Sequence, residues 1–331
     1  MTIALAEIKT YESQNMGGVA TVNGGVMSNT LVPSNTANNA IPSAELAALA
    51  AGRTLFRKLF DKIEDAEDST ANNVRQFLWK GTTGGDRIYL AGGTWTDHES
   101  DLSSPDLFGS GKLDSNVSAS ATSIDVLVED GATPIFRDGE LLVITDRSDL
   151  EDSGTGNMEF RTISGTPSVA GDVVTITLAT GLSNAYLAAD TRVASCIEWG
   201  TLSANIGSVS ESLSNGATFD EASVVAHTIG AVYDTITLTF SSSSAFSAAG
   251  ADVGSLGTGS TGVDFAPINA DTGTPYFTIP SSVWSGSPSA GDTVSFLLTP
   301  LGCPYWLKHV IPAGTAAQSG NNFELGLYVE S

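Results

Sequence analysis

Short runs in which apolar and polar residues alternate recur along the chain after residue 70. In Ser123–Val128 (SIDVLV) and Thr235–Phe240 (TITLTF), for example, an apolar residue stands at every second position. This period of two is typical of a strand with one buried face, and long helical patterns do not occur beyond residue 65. We therefore predict a mainly β protein. The further strands predicted are Val74–Trp79, Arg87–Leu90, Met158–Ile163, Asp172–Leu178, Arg192–Trp199, Tyr276–Ile279 and Phe323–Val329. In Phe136–Thr145, Asp138-Gly139 leads into ELLVIT, which is a hairpin signal.

The first 52 residues have a different character. Asn15–Asn39 is rich in Asn, Gly and Ser, so we expect an extended arm that is flexible or lies across another subunit. Met1–Thr10 is expected to be a short strand or a helical turn. Ser43 is a suitable N-cap for a short helix, AELAALAAG, that ends at Gly52. Arg53–Ile63 (RTLFRKLFDKI) fits helix or strand, and we favour a strand because two further strands follow it.

One turn-and-strand unit occurs twice. Gly165–Leu178 (GTPSVAGDVVTITL) and Gly286–Leu297 (GSPSAGDTVSFL) share Gly, Ser or Thr, Pro, Ser and Ala-Gly-Asp before an alternating run. The Gly-Asp pair favours a tight turn, and the run behind it favours a strand. The unit therefore indicates an internal duplication.

The strands upstream of the two units are similar as well. Gly291 follows Gly171 by 120 positions, and Ile236 follows Ile124 by 112. We predict two related β-sandwich or barrel modules; chance similarity between Thr-, Ser- and Val-rich strands is the alternative. The predicted division is an N-terminal arm with a short helix over residues 1–52, a first β module over 53–230 and a second over 231–331.

The chain of 331 residues is strongly acidic, with 37 acidic and 14 basic residues and a formal net charge of −23. Such a surface repels phosphate backbones, which argues against a protein that grips nucleic acid. An acidic wall suits a conduit through which DNA slides without sticking, whereas the plainer interpretation is solubility at high concentration. Charged residues are only 15% of the chain, and the abundance of Ser, Thr, Gly and Ala is typical of extracellular or virion β proteins.

The basic residues are unevenly placed. After Arg192 the only Lys or Arg is Lys308. A basic region and an acidic half would allow head-to-tail association between copies. The candidate interface residues of the basic region are Arg53, Arg57, Lys58 and Lys62.

Cysteine usage and hydropathy indicate where the protein is made. Cys196 and Cys303 could form one disulfide at most, so a reducing compartment is the default. No apolar run approaches the length of a membrane span, and Met1–Gln14 lacks the features of a signal peptide. We expect synthesis in the cytoplasm.

No catalytic or cofactor-binding constellation is recognisable in the sequence. The histidines, His98, His227 and His309, lack the spacing of metal ligands. Gly257–Gly262 (GTGSTG) has neither the following helix of a nucleophile elbow nor a Gly-Lys-Ser/Thr, and we predict a flexible surface loop. We therefore expect no enzyme, no catalytic residue and no cofactor.

An acidic loop is a weak candidate for a calcium site, since Ca²⁺ takes several oxygen ligands. Its spacing fits no EF-hand, and acidic loops are expected in so acidic a chain. The carboxylates of a glycosidase meet only in the fold, which leaves that class open, although the five tryptophans are dispersed as core residues would be. The residues of the candidate calcium loop are Asp146, Asp149, Glu151 and Asp152.

Several stretches of the chain carry a resemblance to a known class of protein. They are the N-terminal segment with its Gly-Gly, Asn-Asn and Pro punctuation, Gly52–Trp79, Gly111–Asp146, Pro304–Gly314 and the terminal strand Phe323–Val329. With these stretches, most of the chain resembles the structural proteins of tailed-bacteriophage virions, of the siphophage tail type.

This resemblance implies a non-enzymatic tail-tube subunit, the major tail protein of a siphovirus. Such tubes stack hexagonal rings of β domains, so a two-domain subunit would form a ring from three copies, a pseudo-hexamer. The partners implied are further copies, other virion proteins and DNA that passes without specific binding; assembly in the host bacterial cytoplasm and a place in the virion follow. The chain departs from the family in lacking an obvious long hairpin between rings. A capsid decoration, neck or baseplate protein and a carbohydrate-binding module at the tail tip are the alternatives.

Overall fold

The computed structural model describes residues 3–36, 38–150 and 154–330, and within them it is mostly β, as predicted. The helix α1 is Leu46–Ala51, and four single 3₁₀ turns occur besides it. The strands are β1 Ile8–Asn15, β2 Gly24–Leu31, β3 Arg53–Ile63, β4 Ala71–Lys80, β5 Arg87–Gly92, β6 Ser110–Leu113, β7 Ser123–Leu127, β8 Leu141–Thr145, β9 Met158–Thr162, β10 Ser168–Ala170, β11 Val173–Thr177, β12 Arg192–Leu202, β13 Asn205–Ser212, β14 Thr218–Phe219, β15 Val225–Ala226, β16 Asp234–Phe240, β17 Ala245–Gly250, β18 Gly254–Ser260, β19 Phe277–Thr278, β20 Trp284–Ser285, β21 Thr293–Thr299, β22 Gly302–Ile311 and β23 Glu324–Glu330.

The first sheet has the order β2-β1-β3-β22-β5, with all neighbours antiparallel. Arg53–Ile63 forms the strand β3, so the prediction of a strand instead of a helix is confirmed. The N-terminal segment is not a free arm over its described length, because β1 pairs with β3 and β2 pairs with β1. A polar segment without a core of its own is stabilised here by main-chain hydrogen bonds to a buried neighbour.

The second sheet has the order β10-β11-β7-β6-β12-β4-β23, with β8 and β9 attached beside β12. β12 is long enough to pair with β6 and β8 over its first half and with β4 over its second half. The C-terminal strand β23 forms the edge next to β4.

The third sheet, β13-β21-β16-β17-β18, is formed entirely by residues 205–299. The chain then returns, because β22 pairs with β3 and β5, and β23 pairs with β4. We call residues 205–299 the inserted module, and residues 3–202 with 302–330 the base. This grouping differs from the predicted modules 53–230 and 231–331, since strand pairing joins segments far apart in sequence.

The base and the inserted module each have a core built from the alternating positions. In the base, Ile124, Val126 and Ile176 are buried with Trp306. In the inserted module, aromatic rings pack edge to face or offset, as aromatic pairs prefer. The rings concerned are Phe219, Phe240, Phe246, Phe265, Phe277, Trp284 and Phe296.

The sequence repeat corresponds to one matching strand pair. β7 pairs with β11 so that Ile124 faces Ile176, and β16 pairs with β21 so that Ile236 faces Phe296, as the repeat spacing requires. In both units the Gly of the Gly-Asp turn has positive φ, 64° and 94°. The outer neighbours differ, because β10 flanks β11 whereas β13 flanks β21. A duplication of whole modules is therefore not confirmed.

Two local predictions need correction. Gly254–Ser260 is a strand, so part of the predicted loop Gly257–Gly262 belongs to the third sheet. The helix α1 has Glu45 as its N-cap residue instead of Ser43, although it ends at Gly52 with a φ of 82°, as predicted.

Candidate functional site: an acidic groove over a buried lysine

Two of the four predicted interface residues are buried inside the base. Lys58 Nζ donates to the carbonyl oxygens of Gly25 (2.6 Å) and Asp97 (2.9 Å) and lies 2.6 Å from Asp97 Oδ1. Lys62 Nζ donates to the carbonyl oxygen of Ile229 (2.6 Å). The side chains of Lys58 and Lys62 are 0% and 3% exposed, so neither reaches a second copy and their assignment to an interface is corrected.

The other two basic residues are partly exposed. Arg57 Nη1 donates to the carbonyl oxygen of Met16, which holds this guanidinium against the turn between β1 and β2. Arg53 is half-buried at the start of β3, and its Nε and Nη2 atoms are buried without a hydrogen-bond partner among the described residues. The structure therefore does not gather the four side chains into one basic surface.

A groove of about 500 Å³ lies beside the loop that follows β5. Three aspartates, Asp97, Asp101 and Asp106, line it together with Thr94 and Ser103. Its remaining lining residues are Gly92, Gly93, Leu102, Pro105, Phe108 and Ile197.

Buried groups of the base hold the floor of this groove. Asp97 Oδ2 accepts a hydrogen bond of 2.8 Å from Trp306 Nε1, and its other oxygen faces the Lys58 ammonium. That ammonium also lies 5.1 Å from the ring centre of Phe60 and 5.9 Å from that of Trp306. Burial lowers the pKa of Lys58, and the carboxylate of Asp97 opposes this shift. The loop is thereby fixed to the core.

The rim of the groove is acidic and open to solvent. The Asp106 side chain is 77% exposed and lies 3.5 Å from Arg137 Nε, whose guanidinium stacks over Phe108 at 4.9 Å. Asp101 is 59% exposed. None of the lining residues is a His, Cys or Lys. This lining suits the binding of a basic or hydroxyl-rich segment.

A second polar cluster surrounds Asp61 in the interior of β3. Asp61 accepts hydrogen bonds from Thr10 Oγ1 (2.7 Å), Gln76 Nε2 (2.7 Å) and the Tyr305 hydroxyl (3.4 Å). Complete burial raises the pKa of Asp61 to about 6, although these hydrogen bonds act in the opposite direction.

Glu64, just after β3, has cationic partners instead. It bonds Lys9 Nζ at 2.5 Å and the Tyr11 hydroxyl at 2.7 Å, and Lys62 Nζ lies 3.4 Å away. Burial by itself raises the pKa of Glu64, but the two hydrogen bonds and the two lysine charges outweigh burial and lower it. The cluster ties β1 to β3.

A third polar cluster joins the base to the inserted module. His227 Nδ1 lies 2.7 Å from Asp68 Oδ2, and the Thr228 amide donates to Asp68 Oδ1 (2.7 Å). Beside it, Trp95 of the base stacks on Tyr233 of the inserted module, with ring centres 5.7 Å apart. Together with the bond from Lys62, these contacts dock the inserted module on the base.

The other two histidines are separate from each other. His309 is buried on β22, where its Nε2 lies 2.6 Å from Asp86 Oδ2. Asp86 is also buried and accepts from Asn321 Nδ2 (2.6 Å). Burial raises the pKa of Asp86, and the hydrogen bonds outweigh this effect and lower it. The His98 side chain is 37% exposed.

The structure describes only part of the predicted calcium loop. Asp146 Oδ1 accepts a 2.5 Å hydrogen bond from the amide of Asn157. Asp149 is described, whereas Glu151 and Asp152 lie outside the described residues. Among residues 3–36, 38–150 and 154–330, no group of three or more His, Cys, Asp or Glu is placed to hold a metal ion.

Both cysteines, Cys196 and Cys303, are buried and free, and burial raises the pKa of each thiol. In the described part of the chain, no helix is long and apolar enough to span a membrane.

Sequence reasoning missed the anchors of the groove, because Asp97 and Trp306 are far apart in the chain. A signal was nevertheless present in β3. Lys58 alternates with Phe56 and Phe60 on one face of a strand. A lysine between aromatic positions of a buried strand requires partners inside the molecule.

Comparison with known proteins gives little further information. No protein-family model matches this chain, and no curated protein matches it. Among solved structures, part of the chain is similar to the tailspike protein gp49 from Pseudomonas phage LKA1. The match has 24% sequence identity and a TM-score of 0.20, and it covers 27% of this chain and 14% of the tailspike chain. A likeness of this extent supports no conclusion on fold or function.

Proposed function

We propose that this chain is a non-enzymatic structural protein of a bacteriophage virion. Its support is the mainly antiparallel β architecture together with a net charge of −23 and a low content of charged residues. Proteins of this composition resist non-specific association and suit dense packing in a particle. The resemblance of the sequence to siphophage tail proteins also supports this proposal.

The finer proposal is a tail-tube subunit that assembles into rings around a DNA conduit. One observation carries it: residues 205–299 contain eight acidic residues and no Lys or Arg. A module of this kind repels the phosphate backbone, so DNA passes it without being held. The partners are further copies of the chain and neighbouring virion proteins, with assembly in the host bacterial cytoplasm.

Electron microscopy of the purified protein tests the tube directly. Rings or tubes with a lumen wide enough for duplex DNA are the expected result. A stable monomer that binds preformed capsids would instead identify a decoration protein. Copy number per virion separates the remaining alternatives, since a dozen copies or fewer would identify a neck or baseplate protein.

A carbohydrate-binding role at the tail tip is the second candidate, and the acidic groove is the observation that favours it. Its carboxylates and hydroxyls beside Phe108 match the groups that hold a sugar. Binding of the full chain to a glycan array, abolished by Asp101→Ala with Asp106→Ala, would support this function. If the chain binds no glycan on the array, this function is excluded.

A further inference from the structure

One face of the inserted module carries no charge. In β16, Ile236 and Leu238 are buried in the module core, so Thr235, Thr237 and Thr239 point to the outer side of the sheet. The acidic residues lie in loops or towards strand ends. They are Glu211, Asp220, Glu221, Asp234, Asp252, Asp264, Asp271 and Asp292.

The strand register places mainly Ser and Thr side chains in rows across this outer side, with the apolar Leu297 opposite Thr235. Residues directly opposite each other in antiparallel strands point to the same face. Thr237, in the middle of the central strand, faces Ser295 on one side and Ala249 on the other. The next row crosses all five strands and consists of Ser212, Thr293, Thr239, Ser247 and Thr258. We call this outer side of the third sheet the hydroxyl face.

We propose that the hydroxyl face is the surface on which two copies of this chain meet, face to face. The inference rests on the proposed function only in that both require the protein to self-associate. Two copies that each carry a charge of −23 repel each other. The hydroxyl face lets them approach without bringing carboxylates directly opposite carboxylates.

The chemistry of this face also makes it complementary to itself. A Ser or Thr hydroxyl donates one hydrogen bond and accepts others, so it can pair with an identical group. A two-fold contact requires this property, because the same patch is present on both sides. Short side chains further allow two sheets to approach to about 10 Å, the spacing of packed sheets.

The area sets the strength of the contact. Five strands about 4.8 Å apart and about seven residues long at roughly 3.4 Å per residue cover about 550 Å². Two such faces bury about 1,100 Å² in total, just below the range of stable pairwise interfaces. A single pair is therefore weak, and the contact becomes effective where many copies are held together.

The salt dependence of association distinguishes this contact from charge-driven docking. Raising NaCl from about 20 mM to about 500 mM shortens the Debye length from roughly 20 Å to roughly 4 Å. Sedimentation velocity of the full chain is expected to show association that strengthens several-fold, because the repulsion between copies is screened. Association that weakens with salt would mean that opposite charges hold the copies together, and would overturn the inference.

A charge placed on the face tests its location. Thr237→Glu is expected to weaken association at least tenfold, and Ser247→Glu serves as a second variant if circular dichroism shows that the first does not fold. Thr177→Glu is the matched control, because Thr177 is an exposed strand residue of the base. Equal association of Thr237→Glu, Ser247→Glu and the control would overturn the inference.

Electron microscopy of the same samples separates this inference from the proposed function. If Thr237→Glu and the unchanged chain form rings equally well, the tube proposal is retained and the contact through the hydroxyl face is refuted. Salt-strengthened dimers that are sensitive to Thr237→Glu but never form rings or tubes support the face and refute the tube.

Discussion

At the residue scale, the base stabilises charge inside its core by surrounding each charge with partners. A buried ion costs several kcal/mol unless it is paired and hydrogen-bonded, and β3 contains an aspartate and two lysines under these conditions. Lys58 has two carbonyls and one carboxylate as partners, whereas Asp61 has only neutral donors. The two residues therefore respond differently to pH and to substitution.

Asp61 gives the stability of the chain a pH dependence of known sign. Its pKa in the folded chain, about 6, lies above the unfolded value of 3.8, so the folded state binds this proton more tightly. The resulting contribution to stability is present at low pH and is lost as pH rises from about 4 to about 6, by about 3 kcal/mol in all. Urea denaturation at several pH values measures this. Between about pH 4 and pH 6, the free energy of unfolding of the unchanged chain should fall relative to that of Asp61→Asn. Parallel stability curves would contradict it.

Removal of the Lys58 charge leaves Asp97 without its cationic partner. Lys58→Met should lower the free energy of unfolding by about 3–5 kcal/mol, because an unpaired carboxylate remains partly buried. Lys112→Met is the control, since Lys112 is an exposed strand residue and should change stability by less than about 0.5 kcal/mol. Equal losses in the two variants would refute the anchoring role of Lys58.

At the element scale, the alternation of apolar and polar residues predicted the strands that bury one face. It did not predict strands that are held only by main-chain hydrogen bonds to a neighbouring strand. β7, β16 and β21 were recognisable because every second residue enters a core. β18 (GSLGTGS) has almost no apolar residues and is held by its hydrogen bonds to β17. β2 is likewise held by β1. The groove could not be predicted from the sequence. Its anchors, Asp97 and Trp306, are far apart in the chain and meet only because β5 and β22 pair in the folded sheet.

Close packing of two turns leaves no room for a side chain at Gly131. A Cβ added at Gly131, after β7, would lie 1.9 Å from the carbonyl oxygen of Gly171 in the turn between β10 and β11. Because backbone must move, Gly131→Ala should cost about 1–3 kcal/mol. Gly262→Ala, where no atom lies within 4 Å, should have little effect. Thermal unfolding of the two variants makes the comparison, and equal melting temperatures would contradict the close approach.

At the scale of the whole molecule, the inserted module begins and ends at one place. Asn205 and Thr299 are direct partners in the β13–β21 pair, so the two ends of the module are adjacent. The base continues on either side, through β12 and β22. The inserted module also has a core of its own. The two parts therefore satisfy the conditions for independent folding.

Excision of the module tests this independence. A chain in which a short Gly-Ser linker replaces residues 205–299 should fold, with the stability of the base reduced by the lost contacts of Lys62 and Asp68. Near-ultraviolet circular dichroism and cooperative unfolding measure the outcome. Removal of residues 302–330, which supply β22 and β23, is the contrasting change and should abolish folding. An unfolded base after excision of residues 205–299 would contradict independent folding.

The position of β22 has a consequence for synthesis on the ribosome. One of the two neighbours of β3 is translated about 240 residues after it, so the first sheet stays incomplete for at least roughly ten seconds at ordinary elongation rates. The inserted module, whose pairings are all internal, is complete before β22 appears. The nascent chain thus completes the inserted module before β22 is available to pair with β3 and close the first sheet.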